Sequence, residues 1–469
     1  MKRNKRILKV LAFCSPILAL PLISGCGISS TSAAPKNLKI VYWFPKGVSV
    51  NAMGMWLSHV RTQFEKTHPG VHVSFQKIVS GESAYYTKLD LMQSSTSTAP
   101  DVVMEDTFLI SSDASAGYLK NLTPLLKKWS GWKQYFPALK SITTYGGKTW
   151  GIPYSTDARY LWYNKNLFKK AGLPVPWHPS TWAQVLSAAH TIKRKVPGVI
   201  PMNVYSGIPM GESATMQGFE MLLYGTGNSL YDYSTHKWVV KSPGFLSSLQ
   251  LIKNLYGSHL GPPLSEALTS TMGSLVETTL LPKQKLAIDL DGMWLPGAWK
   301  PGTSSPWPQW TKVMGYTPMP TENGQSPHYT SLSGGWALSI SKKAQHPNLA
   351  WSFIKLACNK QNTAYINAHW VTLSPRKDSA TTHEYLSAAP NMGFSTNMLK
   401  YTFYRPAFPA YAKISYQIQQ AMEEVMTGKM TPQQAMNQYA SAVTKIVGTS
   451  HVEVLHHAET AAQLRPSAS

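Results

Sequence analysis

The chain has 469 residues, 43% of them apolar, enough for a proper core in one two-lobed unit or two to three domains. Only 14% of residues are charged, and 44 Lys+Arg against 22 Asp+Glu leave a formal net charge of +22. Abundant Trp (16) and Tyr (23) exclude a disordered chain, and three cysteines spread over the whole length exclude a disulfide scaffold.

Residues 1–25 read as a targeting segment. Lys2, Arg3, Lys5, Arg6 and Lys9 precede an apolar stretch from Val10 to Leu22. That stretch is shorter than the roughly 20 residues a membrane-spanning helix needs. Leu22-Ile23-Ser24-Gly25-Cys26 resembles a bacterial lipobox, which implies a lipid on Cys26 after cleavage. Cleavage removes five basic residues and no acid, so 22 − 5 leaves +17 on the mature chain. Residues 26–37, with Ser, Thr, Ala and Pro, read as a flexible tether. Cys358 is then the remaining thiol, expected as a small buried residue of an apolar helix.

Along the body, apolar strands alternate with amphipathic helices, the pattern of an α/β fold. Leu38 to Trp43 reads as the first strand, followed by a helix with Trp56, Val60 and Phe64 on one face. Pro69-Gly70 ends it, and Val71 to Phe75 alternates as the second strand. Pro100 to Met104 gives a third, buried strand. Thr181 with Gln184 and Thr431 with Gln434 have the spacing of capping boxes, the latter with Pro432 at the first helical position. Pro347 opens a helix carrying Ala350, Phe353, Ile354 and Ala357. Residues 449–469 lack periodicity and read as a loose tail.

From Leu38 to Val447 the segments resemble, in order, a bacterial extracellular solute-binding protein of ABC sugar importers (family 1, maltose-binding-protein-like). Gln63 to Val71 is similar to that family's helix-to-strand turn, Ala99-Pro100-Asp101-Val102-Val103 to its "APDV" strand entry, and Gly117-Tyr118-Leu119 to its "GYL" turn. Tyr145 to Asp157 and Tyr163 to Leu173 resemble "DGK-x-YGIPY" and "YYNKDLFKKAGL". Asp291-Gly292-Met293-Trp294, Gly334 to Ile340, and Arg405 to Tyr411 match later segments. The resemblance implies a two-lobed, type II periplasmic-binding-protein-like α/β fold with a hinged cleft. It implies one lobe from residues 38–154 with about 337–372, and another from 155–336 with about 373–448. It also implies capture of a sugar, delivery to permease subunits served by a cytoplasmic ATPase, a monomer held on the extracytoplasmic membrane face by its lipid, and neither cofactor nor metal.

A sugar presents C–H faces to aromatic rings and hydroxyls to carboxylates and guanidinium groups. Trp43 stands at the end of the first strand, and Asp106, with its neighbour Glu105, follows the third. Asp157 precedes the Tyr163-Asn164-Lys165 run, where relatives of the resembled family place a carboxylate on sugar hydroxyls. Asp291 and Trp294 share one motif, Gly335 and Trp336 another. Arg376 and Arg405 are candidates for forked hydrogen bonds. For Trp43, Asp106, Gly335 and the arginines the competing reading is core, loop, bend or lobe packing.

No G-x-S-x-G elbow, H-E-x-x-H helix, Walker loop or C-x-x-C pair occurs. A secreted glycoside hydrolase would need a carboxylate pair, which Asp157 and Asp291 could supply on paper. A nucleic-acid module would cluster its basic residues, and the longest mature cluster is Lys193-Arg194-Lys195. An anionic solute, such as a glycerol phosphate ester or a uronate, is the alternative to a neutral mono- or oligosaccharide, because the basic field would attract it. The charge imbalance reflects few acids more than many bases and reads as adaptation to acidic medium.

Overall fold

A computed structural model describes residues 36–48, 51–459 and 461–464. The expected targeting segment, Cys26 and nearly all of the expected tether lie outside the described residues. The first strand, β1 (Lys36–Pro45), begins two residues earlier than expected, so Lys36 and Asn37 belong to it. Helix α1 (Ala52–Thr67) follows because the Asn51 side chain accepts the Gly54 N–H at 2.9 Å and Trp56, Val60 and Phe64 share a buried face. Strand β2 (Val71–Ser80), helix α2 (Glu82–Gln93) and strand β3 (Val102–Asp106) complete the first layers.

Two short buried strands then run almost back to back, β4 (Gly151–Ser155) and β5 (Arg159–Asn164). Helix α3 (Trp182–Lys195) precedes β6 (Ile200–Asn203), β7 (Leu286–Gly292), β8 (Met314–Thr317), β9 (Tyr329–Ser333) and β10 (Trp336–Ile340). The main helices of the last third are α4 (Pro347–Ala357), α5 (Lys360–Trp370), α6 (Tyr411–Met426) and α7 (Pro432–Val447). The Thr431–Gln434 capping box is reciprocal. At α3, Thr181 accepts the Gln184 N–H, but the Gln184 carbonyl takes the Ser180 N–H at 2.7 Å instead of closing the box.

Two principal sheets result. One has the order β2-β1-β3-β10-β4, the other β8-β5-β7-β6. In the first, β1 runs parallel to β2 and β3, whereas β10 is antiparallel to β3 and β4. Strands β3, β4, β5, β7 and β10 are buried along their whole length, which explains their near-continuous apolar runs. The chain passes from the first sheet to the second at 155–159 and enters β10 of the first sheet at 333–336 from β9, which pairs with Thr402–Tyr404 outside both sheets; the segment 371–373 lies against the first of these crossings. Thr156 and Leu373 exchange backbone hydrogen bonds of 2.9 and 2.7 Å, and the Thr156 hydroxyl donates to the Gly334 carbonyl at 2.8 Å. Gly335 has φ +148°, and a Cβ there would stand 2.3 Å from the Ser155 carbonyl oxygen, so the close approach requires glycine.

The C-terminal segment departs from the expectation of a loose tail. Val452–Val454 adds a parallel strand to Lys237–Lys241, and the Glu459 carboxylate accepts the Ser229 hydroxyl at 2.8 Å. Three residues suffice for such an edge strand, too few to register as periodicity. Residue 460 and residues 465–469 lie outside the described part. Cys358 is fully buried at the end of α4, as expected, and burial raises its thiol to about 12.

Candidate functional site

A cavity of about 200 Å³ opens between the two sheets beside the crossings. Eight sequence candidates line it: Trp43, Asp106, Asp157, Asp291, Trp294, Gly335, Trp336 and Arg405. Strand ends place them there. Trp43 lies near the end of β1, Asp106 ends β3, Asp291 is the penultimate residue of β7, and Trp336 opens β10. Trp43 and Trp336 stack with ring centroids 5.5 Å apart, a continuous aromatic wall. Trp294 faces the guanidinium of Arg159, 5.0 Å from its ring centroid. Gly292 permits this, because a Cβ there would meet the Trp294 ring at 2.0 Å.

Asp157 has two functions in the local structure. Its carboxylate takes an Arg159 N–H at 2.5 Å and the Gly334 N–H at 2.9 Å, and its carbonyl accepts the Ser333 hydroxyl at 2.5 Å. It therefore ties one crossing to the other while lining the cavity. Arg405 also lines the cavity, paired with Asp106 and, at 3.0 Å, with Glu212. Arg376 corrects the sequence reading. It forks onto Asp378 at 2.9 and 2.7 Å, donates to the Cys358 carbonyl and lies over the Tyr135 ring. Its guanidinium packs the end of α4 against the segment around Tyr135, away from the cavity. Glu105, the alternative to Asp106, is fully buried and accepts from Gln93, because alternation along β3 turns it away from the cavity.

Several lining groups carried no readable motif. Glu82, Tyr205, Glu212, Gln217, Glu277 and Trp370 come from loops, helix ends and the short helix Ala214–Glu220, far apart in sequence. Arg159 had a signal: it stands two residues after Asp157, the spacing that puts extended residues on one face. Burial, then the nearby Asp106 and Glu212, raise the Glu82 carboxyl to about 8. Burial and Asp291 raise Glu277 to about 8, and burial raises Asp291 to about 6. Tyr205 donates to the Asp291 carboxylate at 2.8 Å. Among the described residues no group of three or more His, Cys, Asp or Glu is suited to a metal, and no helix is long and apolar enough to cross a membrane.

The family model of the bacterial extracellular solute-binding proteins matches residues 51–364. The chain belongs to that family. A Deinococcus radiodurans protein named "Probable ABC transporter-binding protein" is 27% identical over 328 residues, 67% of this chain and 73% of that protein. The tagatose-bound ABC transporter solute-binding protein of Thermotoga lettingae superposes with a TM-score of 0.76 at 25% identity, covering 88% of this chain and 100% of that one. Maltose-bound MalE3 of T. maritima gives 0.75 at 20% identity, with the same coverage of 88% and 100%. The likeness carries the two-lobed α/β fold. As an extracellular solute-binding protein of ABC transport, this chain binds a small molecule and is not an enzyme, so the glycoside-hydrolase alternative falls.

Proposed function

We propose that this solute-binding protein captures a carbohydrate, a neutral mono- or oligosaccharide, and hands it to a membrane permease. The observation that carries the reading is the composition of the cavity: a stacked Trp43–Trp336 wall, Trp294 and Trp370, and carboxyl groups between them. Rings of that kind cover sugar C–H faces, and carboxylates accept sugar hydroxyls. The tagatose and maltose held by the two similar structures support the same class. The anionic alternative fits poorly. Both cavity arginines are already paired with carboxylates, and six carboxyl groups face three cations, Lys46, Arg159 and Arg405. A phosphate ester would have to displace those carboxylates to engage either guanidinium.

On this reading residues 38–154 with about 337–372 form one lobe and 155–336 with about 373–448 the other, hinged at the paired crossings. The lipobox supports a lipid on Cys26 and a monomer tethered outside the cytoplasm. Calorimetric titration with neutral, phosphorylated and uronic sugars tests the function. We expect binding of at least one non-acidic sugar, which is recovered uncleaved; binding confined to the phosphorylated or uronic set overturns the reading.

A further inference from the structure

Backbone bounds the cavity in two places. One is the pair of crossings, where Gly335 meets the Ser155 carbonyl. The other lies where the segments after β1 and β2 touch segments from the middle of the chain. There the Ser274 hydroxyl donates to the Lys46 carbonyl at 2.8 Å. A Cβ on Gly47 would stand 3.2 Å from the Ser274 Cβ, one on Gly81 2.9 Å from the Ser270 Cβ, and one on Gly211 2.3 Å from the Ser83 hydroxyl oxygen. Each of these contacts sets a glycine against a serine, so the two segments approach more closely than larger side chains would allow. Lys46, Gly81, Ser270 and Ser274 also line the cavity, which makes these contacts part of its wall.

On the lobe assignment proposed above, Lys46, Gly47, Gly81 and Ser83 belong to one lobe, and Gly211, Ser270 and Ser274 to the other. The contacts are then the seam along which the lobes meet when the cleft is shut. The space left behind the seam is about 200 Å³. Clefts that enclose drug-sized ligands run from about 300 to 1,000 Å³. A disaccharide already belongs to that size class, whereas one hexose or pentose is half as large. A second sugar ring would have to pass through the seam, hold the glycines off their serines and break the Ser274–Lys46 hydrogen bond.

We infer that the ligand is a monosaccharide, a single hexose or pentose, and that the seam, with the Gly81–Ser270 contact in it, excludes disaccharides and longer chains. The inference rests on the carbohydrate reading above and narrows it.

The test is calorimetric titration of the full mature protein with a panel of hexoses, ketohexoses and pentoses, and with the disaccharides and trisaccharides built from them. We expect at least one monosaccharide to bind, and every longer sugar to bind at least about tenfold more weakly than the best of them. A disaccharide or trisaccharide within tenfold of the best monosaccharide overturns the inference and leaves the carbohydrate reading standing. Binding of no sugar in either set overturns both. Gly81→Ala tests the seam itself. Gly81 has φ −64°, so alanine brings no backbone strain, and the added Cβ meets Ser270. Monosaccharide binding should weaken about tenfold, and Ser270→Gly in the same chain should restore it. Unchanged affinity in Gly81→Ala, or no recovery in the double variant, overturns the role of the seam.

Discussion

Arg405 joins Asp106 across the cavity, linking two residues 299 positions apart in sequence. Asp106 ends a strand of the first sheet, and Arg405 follows the short strand Thr402–Tyr404 that pairs with β9. The guanidinium is buried, lies 4.5 Å from the Phe108 ring centroid and is shared with Glu212. Burial of one cation between two carboxylates makes it a joint that tolerates no partial removal.

Arg405→Ala leaves Asp106 and Glu212 buried without their countercharge. The expected loss is about 3–5 kcal/mol of stability, seen as a large fall in Tm. Arg405→Lys keeps the charge but not the fork, and its Tm should lie between the two. A Tm for Arg405→Ala equal to that of the unaltered protein would refute the joint.

Trp294→Ala and Asp157→Ala should separate ligand contact from architecture. Trp294 is half-buried at the cavity, so its loss should weaken sugar binding about 100-fold with little change in Tm. Asp157 also holds Gly334 and neutralises Arg159. Asp157→Ala should therefore weaken binding and also lower stability by about 1.5–3 kcal/mol. Thermal melts with and without sugar distinguish the two effects.

Gly335→Ala should strain the crossing between the sheets. The added Cβ would stand 2.3 Å from the Ser155 carbonyl oxygen, at φ +148°. A loss of about 1–3 kcal/mol is expected, with weaker sugar binding, because Trp336 and Ser155 both line the cavity. Unaltered stability and affinity would show that the backbones separate freely.

Stability should rise on acidification. Asp90, Glu105 and Asp113 form a buried acid cluster in which burial raises Asp90 to about 6, Asp113 to about 7 and Glu105 well above its ordinary value. Burial likewise raises Glu220 to about 8. Such carboxyls hold their protons in the folded chain after the unfolded chain has released them. Their favourable contribution is therefore complete below about pH 4 and is lost as pH climbs toward 8, at ~1.4 kcal/mol for each unit of displacement. The measurement is Tm of the sugar-free protein from pH 8 to pH 4, expected to increase. A steady decrease over that range would refute the role of the cluster and weaken the reading of an acid-adapted composition.

Much of this protein was determined locally and so could be read from its sequence. Buried strands demand apolar runs, Thr181 and Thr431 cap helices through contacts three residues away, and the ordered motifs around Asp157, Trp294 and Trp336 carried the two-lobed fold and five cavity residues. What tertiary structure alone decided is which separate elements meet. Arg376 and Arg405 look equivalent in sequence, yet one packs on Asp378 beside α4 and the other bridges the cavity. Glu82 opens helix α2, Glu277 stands in the short helix Val276–Leu280 and Glu212 in a connecting segment, with no shared motif, and they converge because the folded chain turns those segments toward one space. Composition revealed a basic chain. Only the folded chain shows that six of its scarce acids line one cavity, because periodicity reports the face of one element and not what stands opposite it.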